Sequence, residues 1–290
     1  MRKPVTIQVR LESGSSETVK SYPQEHPHWR LHPHAPISLR RGFLAAAAPL
    51  LISIALTGCG SSRFATSIGA GPVLLFTGTG TSSNDVAVIK EILNSTRLRY
   101  SPIDTFQLNR MTESQIAGYR LFIVPGGNFV EMGNGLTPGA IANVRNAVNG
   151  GMNYLGICAG GFLAGSFPAP NQSFNLTSGV KFGFYSAEKN GIRKGAVTIT
   201  SAEGQALDQY WEDGPQFIGW GQVVGKYPDG TPAIVQGTVG KGWVVLIGIH
   251  PEAPASWRRG MTFHTPVSAD TEFAQRLIVA ALNHVALPHY

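Results

Sequence analysis

Cysteine is nearly missing from this 290-residue chain, which holds two, Cys59 and Cys158. Their surroundings differ too much for them to be read as a bridged pair, so no disulfide framework is expected. Charge is also scarce, at 14% of residues, which excludes a solvated polyelectrolyte. The net charge of +6 arises mainly in the leader: seven Lys or Arg stand against three Asp or Glu before Cys59, and sixteen against fourteen from there on. Basic runs interleaved with aromatics do not occur, and nucleic-acid binding is not expected. No apolar run reaches the roughly 20 residues that span a bilayer. Internal repeats are missing too. What is present is 43% hydrophobic side chains, enough for a sizeable core.

Residues 1–38 are rich in Ser, Pro, His and charge, with no sustained periodicity, and are read as a disordered or misassigned leader. His26, His28, His32 and His34 fit a proline-broken polar tail better than a metal site. Residues 39–58 have the parts of a bacterial signal peptide: Arg40-Arg41, an apolar stretch from Phe43 to Thr57, and Leu56-Thr57-Gly58-Cys59. The paired arginines resemble a twin-arginine export motif, and the last four residues resemble a lipobox whose Cys59 takes up lipid. Gly60 to Gly71 would follow as a small, polar tether, giving a lipid-anchored segment over 59–71 and a folded domain over 72–290. The expected location is the bacterial cell envelope, on its periplasmic or extracellular face.

In the folded part, Val73-Leu74-Leu75-Phe76, Leu98 to Ile103, Leu121-Phe122-Ile123-Val124 and Met152 to Ile157 read as buried strands. Helical patterns lie between them, one capped by Asn84-Asp85, one begun by Thr112 and one opened by Thr137-Pro138. Apolar strands alternating with helices predict an α/β fold: a doubly wound, mostly parallel sheet in a flavodoxin-like three-layer sandwich. Beyond Gly179, Ala196 to Thr200, Gly221 to Tyr227, Ala233 to Val239 and Trp243 to Ile249 predict antiparallel strands in the second half. A final helix is expected over 270–285. No linker interrupts 72–290, so one domain is expected.

The strand Asn153 to Ile157 runs into Gly156-Ile157-Cys158-Ala159-Gly160-Gly161. A tight strand-to-helix turn pushes a nucleophile out of the backbone and brings amide donors beside it. Gly156 and Gly160 clear the crowded side of such a turn. A helix starting at Ala159 sets partial positive charge near the sulfur, which favours thiolate. A later strand ends in His250-Pro251-Glu252, where an imidazole can reach the thiol and a carboxylate can orient it. The same His-x-Glu pair suits a metal less well, because no third ligand has suitable spacing nearby. Thr77-Gly78-Thr79-Gly80 lacks the lysine of a phosphate loop and reads as a ligand-facing turn.

Gly-Ile-Cys-Ala-Gly-Gly at 156–161 and His-Pro-Glu at 250–252 resemble the cysteine elbow and triad of class I glutamine amidotransferases. Val124-Pro125-Gly126-Gly127 and Trp211-Glu212-Asp213-Gly214-Pro215 are similar to the amidotransferase-like N-terminal domain of eukaryotic biotin-protein ligases. The resemblance implies Cys158, His250 and Glu252 as catalytic residues and the Gly127 and Ala159 amides as an oxyanion hole. It also implies a pocket shaped by Gly78, Gly126, Gly160 and Trp211. Where true amidotransferases carry residues such as His-Gln to seat glutamine, this chain has Gly161-Phe162, and no lysine-bearing nucleotide loop follows, so biotin ligation is not implied. The expected activity is a thiol-dependent amidase, hydrolase or acyl transferase, needing no cofactor or metal and acting on a small-molecule or peptide amide. A non-catalytic binding or sensor module on the same fold stands as the alternative, and another chemistry of the superfamily, such as glyoxal hydration, as a weaker one. Nothing in the sequence sets the oligomeric state.

Overall fold

The computed structural model describes residues 72–167, 172–185 and 190–290, together with two strands nearer the amino terminus. The chain divides into two compact units, Met1–Arg63 and Phe64–Tyr290. In the first, β1 (Val5–Arg10) and β2 (Ser16–Ser21) pair antiparallel, from Val5 opposite Ser21 to Arg10 opposite Ser16. This departs from the expectation of a leader without regular structure. Val5, Ile7 and Val9 alternate with Thr6, Gln8 and Arg10, and that short period-2 signal was not read as a strand. The expected signal peptide, Cys59 and the tether lie outside the described residues.

The second unit begins with β3 (Val73–Phe76), α1 (Ser83–Ser95) and β4 (Tyr100–Ile103). Two single-turn helices follow, α2 (Thr105–Leu108) and α3 (Glu113–Ile116), then β5 (Leu121–Val124). Next come α4 (Phe129–Gly135), α5 (Pro138–Gly150), β6 (Asn153–Ile157) and α6 (Ala159–Ala164). The caps are chemical. Asp104 and Thr112 form capping boxes with Gln107 and Gln115, and Thr137 caps α5 with Pro138 in its first turn. Gly151, at φ 127°, ends α5 in a backbone conformation that a side chain would strain.

The second half supplies β7 (Gly183–Phe184), β8 (Lys194–Ser201), β9 (Ala206–Glu212) and β10 (Pro215–Gln216). It ends with β11 (Gln222–Lys226), β12 (Pro232–Val239), β13 (Gly242–Ile247) and α7 (Val267–Asn283). Nine strands make one sheet in the order β4-β3-β5-β6-β13-β12-β11-β8-β9. The first five run parallel, and the last four extend the sheet antiparallel from β13. β7 and β10 form a separate two-stranded ladder.

Side chains alternate between two cores. Val73, Leu75, Leu121, Ile123, Leu155 and Ile157 face α1 and α7, through Ile89, Leu93, Leu277 and Ile278. Leu74, Phe76, Phe122, Val124 and Tyr154 face the other helices, through Leu108, Ile116, Val144 and Phe162. Burial on both faces is why these strands read as unbroken apolar runs, and each buried Leu, Ile or Phe contributes about 1.5–3 kcal/mol. The result is a three-layer α/β sandwich with a mixed sheet. Among the described residues no helix is long and apolar enough to cross a membrane.

Two features of this architecture place the site. Chain order reverses between β3 and β5, so the turns after them lie side by side at the carboxyl edge of the sheet, where open α/β sheets bind ligands. There Thr81 and Gly127 form an isolated bridge. The antiparallel half also curls: β9, last in the sheet order, bridges through Tyr210 to His250, just beyond β13.

Candidate active site

Cys158 occupies the turn between β6 and α6 with φ 47° and ψ −103°, a conformation that a residue with a Cβ adopts only under constraint. The constraint is visible on each side. The Cys158 amide donates to the Ile247 carbonyl at 2.7 Å, the Gly160 amide donates to Pro125 at 3.2 Å, and the Tyr154 hydroxyl donates to the Gly160 carbonyl at 2.7 Å. A Cβ at Gly160 would collide with the Val124 carbonyl, and one at Gly156 would meet the Gly160 carbonyl at 2.5 Å. Both glycines are therefore needed for the elbow to press against β5 and β6.

His250 and Glu252 follow β13 and reach the same place. His250 Nδ1 lies 2.7 Å from Glu252 Oε1, and the Cys158 sulfur lies near enough to favour the charged form of the imidazole. With Nδ1 committed to Glu252, Nε2 is the nitrogen left for sulfur. Cys158 and His250 are each 6% exposed and Glu252 2%. Burial disfavours the imidazolium, but the Glu252 carboxylate and the Cys158 sulfur favour it more, and His250 is held well above the usual histidine range.

The two expected oxyanion donors flank the elbow. Gly127, at φ 142°, follows β5, and Ala159 opens α6. Among the described residues neither amide has an acceptor. Gly127 and Asn128 are exposed, so this side of the elbow opens to solvent. Gly126 is needed for close approach, because a Cβ there would collide with Asp85 Oδ2 and come within 2.7 Å of His250 Cε1.

Two expected pocket residues lie elsewhere. Trp211 is fully buried, its indole N–H donating to the Gly214 carbonyl at 3.2 Å and its ring set edge-on to Tyr185. Alternation along β9 turns its neighbours to the site instead. The Cys158 thiol donates to the Glu212 carbonyl at 3.6 Å, and the Tyr210 ring meets the His250 ring edge-on at 5.9 Å. Gly78 packs against the start of α2, where a Cβ would collide with Thr105 Oγ1; it shapes the turn rather than lining the site.

Tyr210 and Glu212 belong to the aromatic segment around Trp211 that was expected to shape the pocket, whereas no local signal in the sequence marks Asp85 and Trp257 as members of this cluster. Trp257 stands 5.8 Å from the His250 ring and 5.6 Å from Tyr210. The Tyr210 hydroxyl donates to Glu212 Oε2 at 2.6 Å; burial, then Glu212, raises its pKa far above the usual tyrosine value. Asp85 is the larger correction. Ser82, not Asn84 or Asp85, caps α1, accepting the Asp85 amide at 3.3 Å. Asp85 is 1% exposed and accepts the Gly126 amide at 2.7 Å through Oδ2, which also lies 3.6 Å from His250 Nδ1.

Asp85 is thus the third acidic or histidine ligand type that local spacing did not show. Atoms of Asp85, His250 and Glu252 lie within 4.8 Å of one another. The 2.7 Å from His250 Nδ1 to Glu252 Oε1 is a hydrogen-bond distance. Two tetrahedral ligands bonded at about 2.0–2.1 Å would stand about 3.3 Å apart. His250 and Glu252 therefore stand at hydrogen-bond spacing, closer than two ligands of one metal ion.

Residues 72–206 match the family described as "Biotin-protein ligase, N terminal". A biotin–protein ligase of Schizosaccharomyces pombe is 25% identical over 166 residues, covering 48% of this chain and 26% of that protein. The match therefore spans about a quarter of the yeast protein's length. The solved structure "Crystal structure of glutamine amidotransferase" has a TM-score of 0.53 at 18% identity, covering 73% of this chain and 99% of that one. The folded unit has the class I glutamine amidotransferase-like fold and is related to the N-terminal domain of biotin-protein ligases.

Proposed function

We propose that the folded unit is a thiol-dependent amidase or acyl transferase. Cys158 is the nucleophile, His250 the proton carrier and Glu252 the residue that orients it. The observation that supports this most is the buried grouping of Cys158, His250 and Glu252, with Glu252 Oε1 2.7 Å from His250 Nδ1 and the Cys158 sulfur acting on the same imidazole. With the sulfur's proton already held on His250, the Cys158 thiolate bonds to the amide carbonyl carbon, and the Gly127 and Ala159 amides take the oxyanion. The imidazolium then protonates the departing amine as the C–N bond breaks. In the second half His250 takes a proton from water or another acceptor nucleophile, which attacks the thioester, expels the thiolate and restores the thiolate–imidazolium pair.

The substrate class is a small-molecule or peptide amide. We place the protein in the cell envelope, held through lipid on Cys59, on the strength of the Arg40-Arg41 and Leu56-Thr57-Gly58-Cys59 motifs. A labelled fatty acid should be incorporated by the wild type and not by Cys59→Ser. Incorporation by the variant refutes the anchor.

The catalytic reading is tested by alkylating Cys158 near neutral pH. The wild-type thiol should react about tenfold or more faster than free cysteine, and His250→Ala should remove the excess. An unchanged rate in His250→Ala refutes the reading. A non-catalytic ligand-binding module is the second reading, favoured by the 6% exposure of Cys158 and by Gly161-Phe162, where a Cβ at Gly161 would meet Phe217 at 2.8 Å. Equal ligand binding by wild type and Cys158→Ala, without turnover of any amide, would support that module.

A further inference from the structure

Asp85 and Glu252 are both acids, both inside, and each has a carboxylate oxygen within 4.8 Å of one on the other. Each has one oxygen already used: Asp85 Oδ2 accepts the Gly126 amide at 2.7 Å, and Glu252 Oε1 faces His250 Nδ1 at 2.7 Å. The other two, Asp85 Oδ1 and Glu252 Oε2, are buried and have no hydrogen-bond donor among the described residues. Two buried carboxylates this close repel unless one of them carries a proton. One proton satisfies both.

We propose that Asp85 and Glu252 share a single proton between Asp85 Oδ1 and Glu252 Oε2, making Asp85 the positioning residue for the Glu252–His250 limb. This rests on the thiol-catalysis reading for its consequence and on the cluster's own geometry for the proton. The charge balance is consistent with it: with the proton in place the pair carries one negative charge against one imidazolium. Burial first, then the Glu252 charge, pushes the Asp85 carboxyl well above the usual carboxylate range, while His250 and the Gly126 amide oppose that. The groups that face this cluster are His250 and Glu252 after β13, Cys158 at the elbow, and Tyr210 and Glu212 on β9.

Asp85 also joins the two halves of the site. The Gly126 amide it accepts precedes the Gly127 amide proposed for the oxyanion, and the Gly126 carbonyl accepts the amide of Ser82, the cap of α1. The base and the oxyanion loop therefore hang on one carboxyl group. An asparagine at position 85 can still accept the Gly126 amide through its oxygen and donate to Glu252 through its NH2, replacing the shared proton with a fixed one. Alanine can do neither.

The test uses the full chain and two readouts. Infrared difference spectra at neutral pH should show the carbonyl band of a protonated buried carboxylic acid in the wild type, and Asp85→Asn should lose it. Cys158 alkylation followed against pH should keep its profile in Asp85→Asn, within about threefold in rate, and slow by about tenfold or more in Asp85→Ala. No protonated-acid band in the wild type overturns the proposal, and so does an Asp85→Asn rate as low as that of Asp85→Ala. Should Asp85→Ala fail to fold, the wild-type spectrum and Asp85→Asn decide it. If His250→Ala leaves alkylation unchanged, the nucleophile reading fails, and the infrared band still reports whether the proton is held.

Discussion

The amide of His250 donates to the carbonyl of Tyr210 at 2.8 Å, although forty positions of chain and three intervening strands of the sheet separate them. Through this bond the last strand of the antiparallel half comes back to the imidazole. A Tyr210 ring and a Glu212 carbonyl thereby become walls of a site whose other parts come from the parallel half. The curl of the sheet brings them there.

Tyr210→Phe separates the ring from its hydroxyl. The ring stays against His250, and the lost bond to Glu212 costs at most about 1 kcal/mol, because the exposed Glu212 carboxylate can take water instead. Denaturant unfolding should show that small loss, with thiol alkylation unchanged. A loss of several kcal/mol would mean that the hydroxyl has a structural role the geometry does not reveal.

The backbone at Cys158 should be relieved by glycine. At φ 47° and ψ −103° a Cβ costs about 1–3 kcal/mol, so Cys158→Gly should be more stable than Cys158→Ala by about that amount. Chemical denaturation of the two variants, neither carrying a thiol at the elbow, checks this directly. Equal stabilities would show the turn to be unstrained.

Gly160→Ala should have the opposite outcome. Its Cβ would run into the Val124 carbonyl, which is backbone in a central strand and has no room to yield. A destabilisation of about 1–3 kcal/mol or more is expected, read as a lower unfolding midpoint. Gly139→Ala is a suitable control, since its Cβ would have nothing nearer than Thr137 Oγ1 at 4.0 Å.

Glu252→Gln should lower the His250 pKa. Burial alone favours neutral imidazole, and the Glu252 charge is the largest influence that reverses it. A raised folded value means that the stability contributed by the retained proton is fully present below the ordinary histidine value of about 6.5 and is lost as pH rises through the folded value. Titration of the His250 ring by NMR should therefore move to lower pH in the variant. No movement would show that Glu252 does not act on the ring.

Asp270 offers a pH test away from the sulfur. It pairs with Arg258 at 3.2 Å and accepts from Gln209 at 2.8 Å, yet burial raises it from 3.8 to about 6 against the pull of Arg258. Because the folded value is the higher one, its proton adds stability that is complete below 3.8 and lost as pH rises through about 6. The melting temperature of the wild type should therefore gain on that of Asp270→Asn as pH falls across this window. A gap that shrinks instead would contradict the sign.

The parallel half was legible because its strands are buried on both faces and leave unbroken apolar runs, and because Thr112 and Thr137 sit where caps must sit. Strand β9 is not legible in the sequence. Its sequence, Ala-Leu-Asp-Gln-Tyr-Trp-Glu, mixes acids with aromatics, since Asp208 and Gln209 are buried by bonds to distant partners, His264 and Asp270. The family resemblance puts Trp211 in the pocket, and alternation along β9 turns it into the core instead. By sequence Asp85 reads as a cap, the ordinary role of an acid at a helix start, but Ser82 holds that place.

By itself the order of residues determined the α/β class, the glycine-flanked cysteine turn and the His-Pro-Glu at a strand end, because each of these is set by local periodicity and local backbone demands. Only tertiary structure decided which groups surround the sulfur. Asp85, Tyr210 and His250 come from separate stretches of chain, and their meeting depends on where the sheet reverses its order and how far its edge curls. Neither is a property of any short stretch of chain.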